Sequence, residues 1–141
     1  MPFGIGITSC KTMENVGMLW RSAYLYDADF LFMLNSRYKR LKADTPNAAK
    51  HIPLFEWDNL EIPHAFVPII VEKCEGSTSL WDFEHPRNTI YILGAEDHGV
   101  PKVILENNWT KIHIPSCKPY SMNVAVAGSL VMAHRYSRLL K

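Results

Sequence analysis

Apolar and polar positions alternate along this chain in two rhythms, one of short unbroken apolar runs and one at helical spacing. Phe3 to Thr8 is the first run and predicts a strand. Val16, Leu19, Trp20 and Ala23 then recur at helical spacing, predicting a helix over about 16–28 with Asn15 where an N-cap would stand. Phe30 to Leu34 is apolar throughout, the pattern of a strand covered on both faces. Residues 35–50 turn polar, and His51 to Trp57 reads as a short strand that Pro53 confines to an edge or a loop. Phe66 to Val71, Thr89 to Leu93 and Trp109 to Ile114 complete the strands. Pro101 can open a short helix to about Asn107, and Ser121 can cap a terminal helix running to about Leu140. Strands alternating with helices predict an α/β fold, a mostly parallel sheet with helices on both faces, in one domain over 1–141.

Composition narrows the function more than the fold. With 15 Lys+Arg against 14 Asp+Glu, a net charge of +1 offers no global field for nucleic acid, so any such contact must be local. The densest basic stretch is 37–42, where Arg37, Lys39, Arg40 and Lys42 could meet phosphates while Tyr38 stacks on a base. A solvated loop is the competing reading. Arg135, Arg138 and Lys141 are read as complementing the C-terminal dipole of the last helix. The apolar runs are far short of a membrane span, and the start lacks a charged segment before an apolar one, so a soluble cytoplasmic protein with no membrane partner is expected. Cys10, Cys74 and Cys117 form no CxxC pair, which argues against a disulfide framework and a structural zinc site.

Three polar constellations interrupt the apolar pattern, two of them following a predicted strand, where open α/β sheets place ligands. In Asn15-Val16-Gly17 with Arg21, the glycine leaves space one helical turn before a guanidinium suited to a phosphate or a polarised oxygen; an exposed arginine near a helix crossing is the bland alternative. In Leu93-Gly94-Ala95-Glu96-Asp97-His98-Gly99-Val100-Pro101, Gly94 and Gly99 are expected to turn with positive φ and admit a ligand to the backbone. Glu96 and Asp97 there could accept from a ligand hydroxyl or simply interact with the following helix N-terminus. The loop is neither GxGxxG nor GxxxxGK[ST], so a dinucleotide or nucleoside triphosphate site is poorly supported. In Ile114-Pro115 with Ser121-Met122-Asn123, capping explains Ser121 well and Asn123 less well, and the small residues from Val124 to Ser129 allow another element to approach closely.

In order, these segments resemble the three signature motifs of the SpoU (TrmH-like) branch of the SPOUT RNA methyltransferases, over nearly the whole chain. Two departures are that Met122 stands where leucine is common and that the 114–121 connection is short. The resemblance implies methyl transfer from S-adenosylmethionine to a ribose 2′-hydroxyl of RNA, a homodimer, and a C-terminal deep trefoil knot, one of the few exceptions to unknotted chains. It implies a cofactor cradle of Leu93, Gly94, Gly99, Ile114, Ser121 and Met122, joined by Val71 and Glu72 at the end of an earlier strand. Arg21 and Asn15 would face the RNA, with Glu96 and Asn123 close to the reacting centre. Because an arginine is always protonated, Arg21 would anchor phosphate and stabilise alkoxide charge, leaving Glu96 to accept the proton. No metal is needed, since the sulfonium already activates the methyl. So short a chain favours tRNA over rRNA. A module that binds the cofactor or a nucleotide without transfer, and an α/β enzyme for a phosphorylated substrate, remain the rivals.

Overall fold

The computed structural model describes residues 1–37 and 51–139. In chain order they form β1 (Phe3–Thr8), α1 (Met13–Leu25), β2 (Phe30–Leu34), β3 (Leu54–Trp57), β4 (Val67–Val71), β5 (Thr78–Ser79), a 3-10 turn (Leu80–Asp82), β6 (Thr89–Gly94), α2 (Lys102–Leu105), β7 (Thr110–His113) and α3 (Val124–Leu139). The strands make one sheet in the order β3-β2-β1-β6-β4-β7-β5, and every pairing is parallel. All carboxyl ends therefore open on one edge.

The alternation within each strand sorts its side chains between two cores. Phe3, Ile5 and Ile7 of β1, Leu31 and Met33 of β2, and Tyr91 and Leu93 of β6 face α1 and α3. Phe30, Phe32, Leu34, Ile90 and Ile92 face the other way, towards α2 and the loops carrying Leu60, Ile62 and Phe66. Gly4 and Gly6 of β1 stand opposite Phe30 and Phe32 in register, and a Cβ on either would lie 2.2–2.3 Å from those two residues. The glycines are thus the space in which the aromatic side chains of β2 lie across β1.

Several expected boundaries move, each for a local reason. The first helix starts at Met13, so Asn15 lies in its first turn rather than at its cap, and Thr12 holds the N-cap position with no side-chain hydrogen bond. The helix ends at Leu25 because the following turn takes Asp27 into the left-handed region, φ 61°. Pro101 occupies the N-cap of α2, not its first helical position, and α2 stops at Leu105. Asn123, not Ser121, caps α3: its Oδ1 accepts from the amides of Ala125 and Val126 at 2.9 and 3.1 Å. Among the described residues the two long helices share one face of the sheet, and the other is covered mostly by loops and the short α2. The short strand β5 and the turn after it carry no sequence pattern that announces them.

The small-residue stretch of α3 is used within the chain. A Cβ on Gly128 would sit 2.5 Å from Leu19 of α1, and Ser22 and Ser129 are hydrogen-bonded at 2.7 Å across the same crossing. Towards its other end α3 is anchored by Arg135, which is buried rather than engaged with the helix dipole. Its guanidinium donates to the carbonyls of Pro86, Arg87 and Met1, and to Thr89 Oγ1 and Tyr91 Oη at 3.2 and 3.1 Å. Beside it His85 bridges Tyr91 Oη (2.6 Å) and His134 (2.8 Å), and Arg138 donates to His134 Nε2 at 3.3 Å. That last bond fixes the direction of the chain: His134 Nδ1 donates to His85 Nε2, and His85 Nδ1 donates to Tyr91. Burial first, then the neighbouring His134 and arginine charges, push the His85 pKa down to about 3.

Candidate active site

At the carboxyl ends of β4, β6 and β7 lies a cavity of about 290 Å³. Val71, Leu93, Gly94, Gly99, Ile114, Ser121 and Met122, the residues expected to cradle a cofactor, all border it, as do Glu72 and Glu96. Its apolar wall comes from strand ends and α3, its polar rim from the connecting loops.

The loop after β6 gives the cavity its shape. Gly94 is required by close approach, since a Cβ there would lie 2.3 Å from the backbone of Gly99 and Val100. Only Gly99 has positive φ, 66°, so the expectation for Gly94 is corrected. The turn is closed by the Gly99 amide donating to the Ala95 carbonyl at 2.7 Å. Glu72 lies under it and accepts from the Val100 amide at 3.2 Å; its carboxyl pKa is raised, chiefly by burial. A side chain at position 99 would also strike Glu72, with Oε1 only 2.7 Å from a Cβ. Two independent constraints therefore demand glycine there.

Three of the four expected catalytic residues meet. Asn123 Nδ2 donates to Glu96 Oε1 at 2.7 Å and to Asn15 Oδ1 at 3.0 Å, while its Oδ1 caps α3. One amide so fixes the helix start, the first motif and the second at once, which explains why an asparagine is needed and a serine would not serve. Beyond this network opens a second cavity of about 170 Å³, bordered by Cys10, Lys11, Thr12, Asn15 and Asp97. Ala95, Glu96 and Val124 border both cavities, so Glu96 stands in the wall between them.

Arg21 is not brought into this group. It is exposed on α1, borders neither cavity, and its side chain has no hydrogen-bond or ion-pair partner among the described residues. Arg37, expected to contact RNA, is bound to Asp97 through both terminal nitrogens at 3.1 and 2.6 Å. Its partners in that expectation, Lys39, Arg40 and Lys42, lie outside the described residues. The aspartate is held well below the usual carboxylate range, first by its hydrogen bond to Arg37. Lys11 and Thr12 were not singled out from the sequence; their place in the strand-to-helix connection after β1 is the signal that could have found them. Among the described residues no group of three or more His, Cys, Asp or Glu could hold a metal, and no helix is long and apolar enough to cross a membrane.

Solved structures share this architecture. The TrmH/SpoU tRNA modifying enzyme of A. aeolicus superposes with a TM-score of 0.83 at 19% identity over 96% of this chain and 74% of its own. A protein studied for 2-OH methylation of C/U34 on tRNA gives 0.81 at 20% identity over 99% and 97%. The AdoMet-bound rRNA methyltransferase of Sinorhizobium meliloti gives 0.79 at 16% identity over 99% and 57%. Several of these proteins are longer, and the chain spans 57–60% of their length. No curated protein matches it in sequence. The pattern of the SpoU rRNA Methylase family, however, matches residues 2–133, and the chain belongs to that family.

Proposed function

We propose that the chain is an RNA methyltransferase that carries a methyl group from S-adenosylmethionine to a ribose 2′-hydroxyl. The observation that carries this reading is the placement of Glu96, bonded to Asn123, in the wall between two cavities of about 290 and 170 Å³. A transfer reaction needs two adjoining sites with a proton acceptor between them. The larger cavity fits the cofactor: Val71, Leu93, Ile114 and Met122 offer an apolar wall, and Gly94 and Gly99 bring backbone where side chains would collide. Bound there, the cofactor supplies an electrophilic methyl on a sulfonium. The smaller cavity receives the acceptor ribose, with Lys11 at its rim for the phosphate.

With the cofactor bound, Glu96 would accept the hydroxyl proton as the ribose oxygen takes the methyl carbon and the carbon–sulfur bond breaks, its electron pair leaving with the sulfur of neutral S-adenosylhomocysteine. Asn123 holds one carboxylate oxygen of Glu96 and leaves the other for that hydroxyl. Arg21 enters as a phosphate anchor from a second protomer, so that each subunit of a homodimer completes its partner's site. Exposed Met18 and Leu25, which flank Arg21 on α1, support a covering partner there. The C-terminal part is taken to thread the trefoil knot of the family, the RNA to be tRNA, with rRNA as the alternative, and the compartment to be the cytoplasm, in keeping with three free thiols.

A module that binds without transferring is the second reading, favoured by Arg21 lying outside both cavities of a single chain. Labelled S-adenosylmethionine incubated with separated tRNA and rRNA, followed by nucleoside analysis, decides among these. Label in a 2′-O-methylnucleoside is expected; cofactor binding with unlabelled RNA would leave the binding module. If transfer occurs, Arg21→Ala should abolish it with cofactor affinity within about twofold, because the residue acts on the RNA side.

A further inference from the structure

The second cavity has two side walls, the Cys10–Thr12 segment and the Ala95–Asp97 segment, and one residue bonded to both flanks. Arg37 lies just beyond β2. Its amide donates to the Cys10 carbonyl at 2.9 Å, and its Nε to the Ser9 carbonyl at 2.8 Å. With the guanidinium oriented in this way, Nη1 and Nη2 reach the two oxygens of Asp97. Ser9 has φ 53°, and its own amide is held by the Leu34 carbonyl at 2.7 Å, so the anchoring turn is fixed in its turn to β2. The ends of β1, β2 and β6 are thereby tied at one side chain.

We propose that Arg37 is a positioning residue for Glu96, its clamp on Asp97 setting the width of the second cavity and the place of Glu96 in the wall. This rests on the preceding assignment of Glu96 as proton acceptor. The feet of the 95–99 turn are fixed without Arg37, by the Gly99–Ala95 bond and by Glu72 beneath Val100. Its tip, where Glu96, Asp97 and His98 are exposed, has side-chain ties: Asn123 on Glu96, and Arg37 and His98 (3.0 Å) on Asp97. An exposed ion pair of this kind adds little to global stability, so its value lies in geometry. Misplacement of a reacting group by about 1 Å can cost on the order of a hundredfold in rate. Lysine could not replace Arg37, because a single ammonium cannot serve Ser9 and both Asp97 oxygens from one rigid plane.

Arg37→Gln, Asp97→Asn, the double variant and Arg37→Lys are compared for kcat, for KM towards RNA, for affinity to S-adenosylhomocysteine and for Tm. Each single change should lower kcat about tenfold and the double no further, as for two halves of one device. RNA KM, product affinity and Tm should hold, the affinities within about twofold, and Arg37→Lys should recover little of the rate. A purely structural role would move Tm and every constant together. A rise in RNA KM with Arg37→Gln and a fall with Asp97→Asn would overturn the proposal, making Arg37 a phosphate ligand that Asp97 restrains; additive losses or an unchanged kcat would overturn it as well. If the unaltered protein transfers no methyl group, the failure belongs to the proposed reaction, and backbone amide order parameters decide on the clamp. Those of Glu96 and Asp97 at the tip should then fall in both singles and in the double alike while that of Gly99 holds, and unchanged order at the tip would overturn it.

Discussion

At the start of β6, Thr89 and Tyr91 join His85, His134 and Arg135 in a buried cluster; just past its end, Glu96 meets Asn123 and Asn15 between two cavities. Both clusters are polar, and both hold α3. They differ in how far their hydrogen-bonding capacity is used. Each terminal nitrogen of Arg135 has at least two oxygen acceptors, and the two histidines pass their protons along one fixed direction, so burial costs are offset by dense pairing. At the other end Glu96 uses one oxygen on Asn123 and stays exposed. The densely paired cluster fixes where the helix docks, and the sparsely paired one leaves an oxygen of Glu96 for the proton-accepting role proposed for it.

That division can be broken most sharply at Arg135. Arg135→Met strips the donor from five oxygens and should destabilise the protein by about 3 kcal/mol or more in urea unfolding. Product affinity of the folded fraction should stay within about twofold. An affinity that falls together with stability would show the two clusters to be one unit. Asn123→Ala should do the reverse, cutting methyl transfer on the order of a hundredfold by releasing Glu96, with only about 1 kcal/mol lost as the cap of α3 disappears. A rate that survives this change would remove the Asn123–Glu96 bond from the mechanism.

The two ends should also titrate with opposite sign. His85 binds its proton more weakly folded than unfolded, so its share of stability is full above about pH 6.5 and drains as pH falls towards 3, by at most about 1.4 kcal/mol per unit. Glu72 binds its proton more tightly folded than unfolded, so its share falls as pH rises through the window above 4.5. Urea midpoints measured from pH 4 to 7 should flatten in His85→Gln. The smaller change, Glu72→Gln, keeps an acceptor for the Val100 amide and should make the net rise with pH slightly steeper. An unaltered profile in either variant would show that the residue does not titrate differently on folding.

Local chemistry made most of the fold legible. The runs at 3–8, 30–34 and 89–93 are apolar stretches bounded by turn-forming or polar residues, and the strands fall within a residue of where those patterns place them. The three motifs were legible for the same reason, because glycine and asparagine at fixed spacing state a local geometry. Their corrections came from choices that the local sequence leaves equal. Ser121 and Asn123 can each cap a helix, and the one that does is the one whose amide also reaches Glu96 and Asn15.

By itself, then, the sequence determined the strands other than β5, the helices to within a turn and the residue types at the sheet's carboxyl edge, since hydrophobic periodicity and turn chemistry act over a few residues. The tertiary structure alone decided the pairings. Asn123 reaches Asn15 across 108 positions and Arg37 reaches Asp97 across 60, while Arg135 becomes a buried anchor because carbonyls as distant as Met1, 134 positions away, converge on it. Charge and hydrogen-bonding capacity can be read from a residue's type, but which partner satisfies them depends on packing that brings distant segments within about 3 Å.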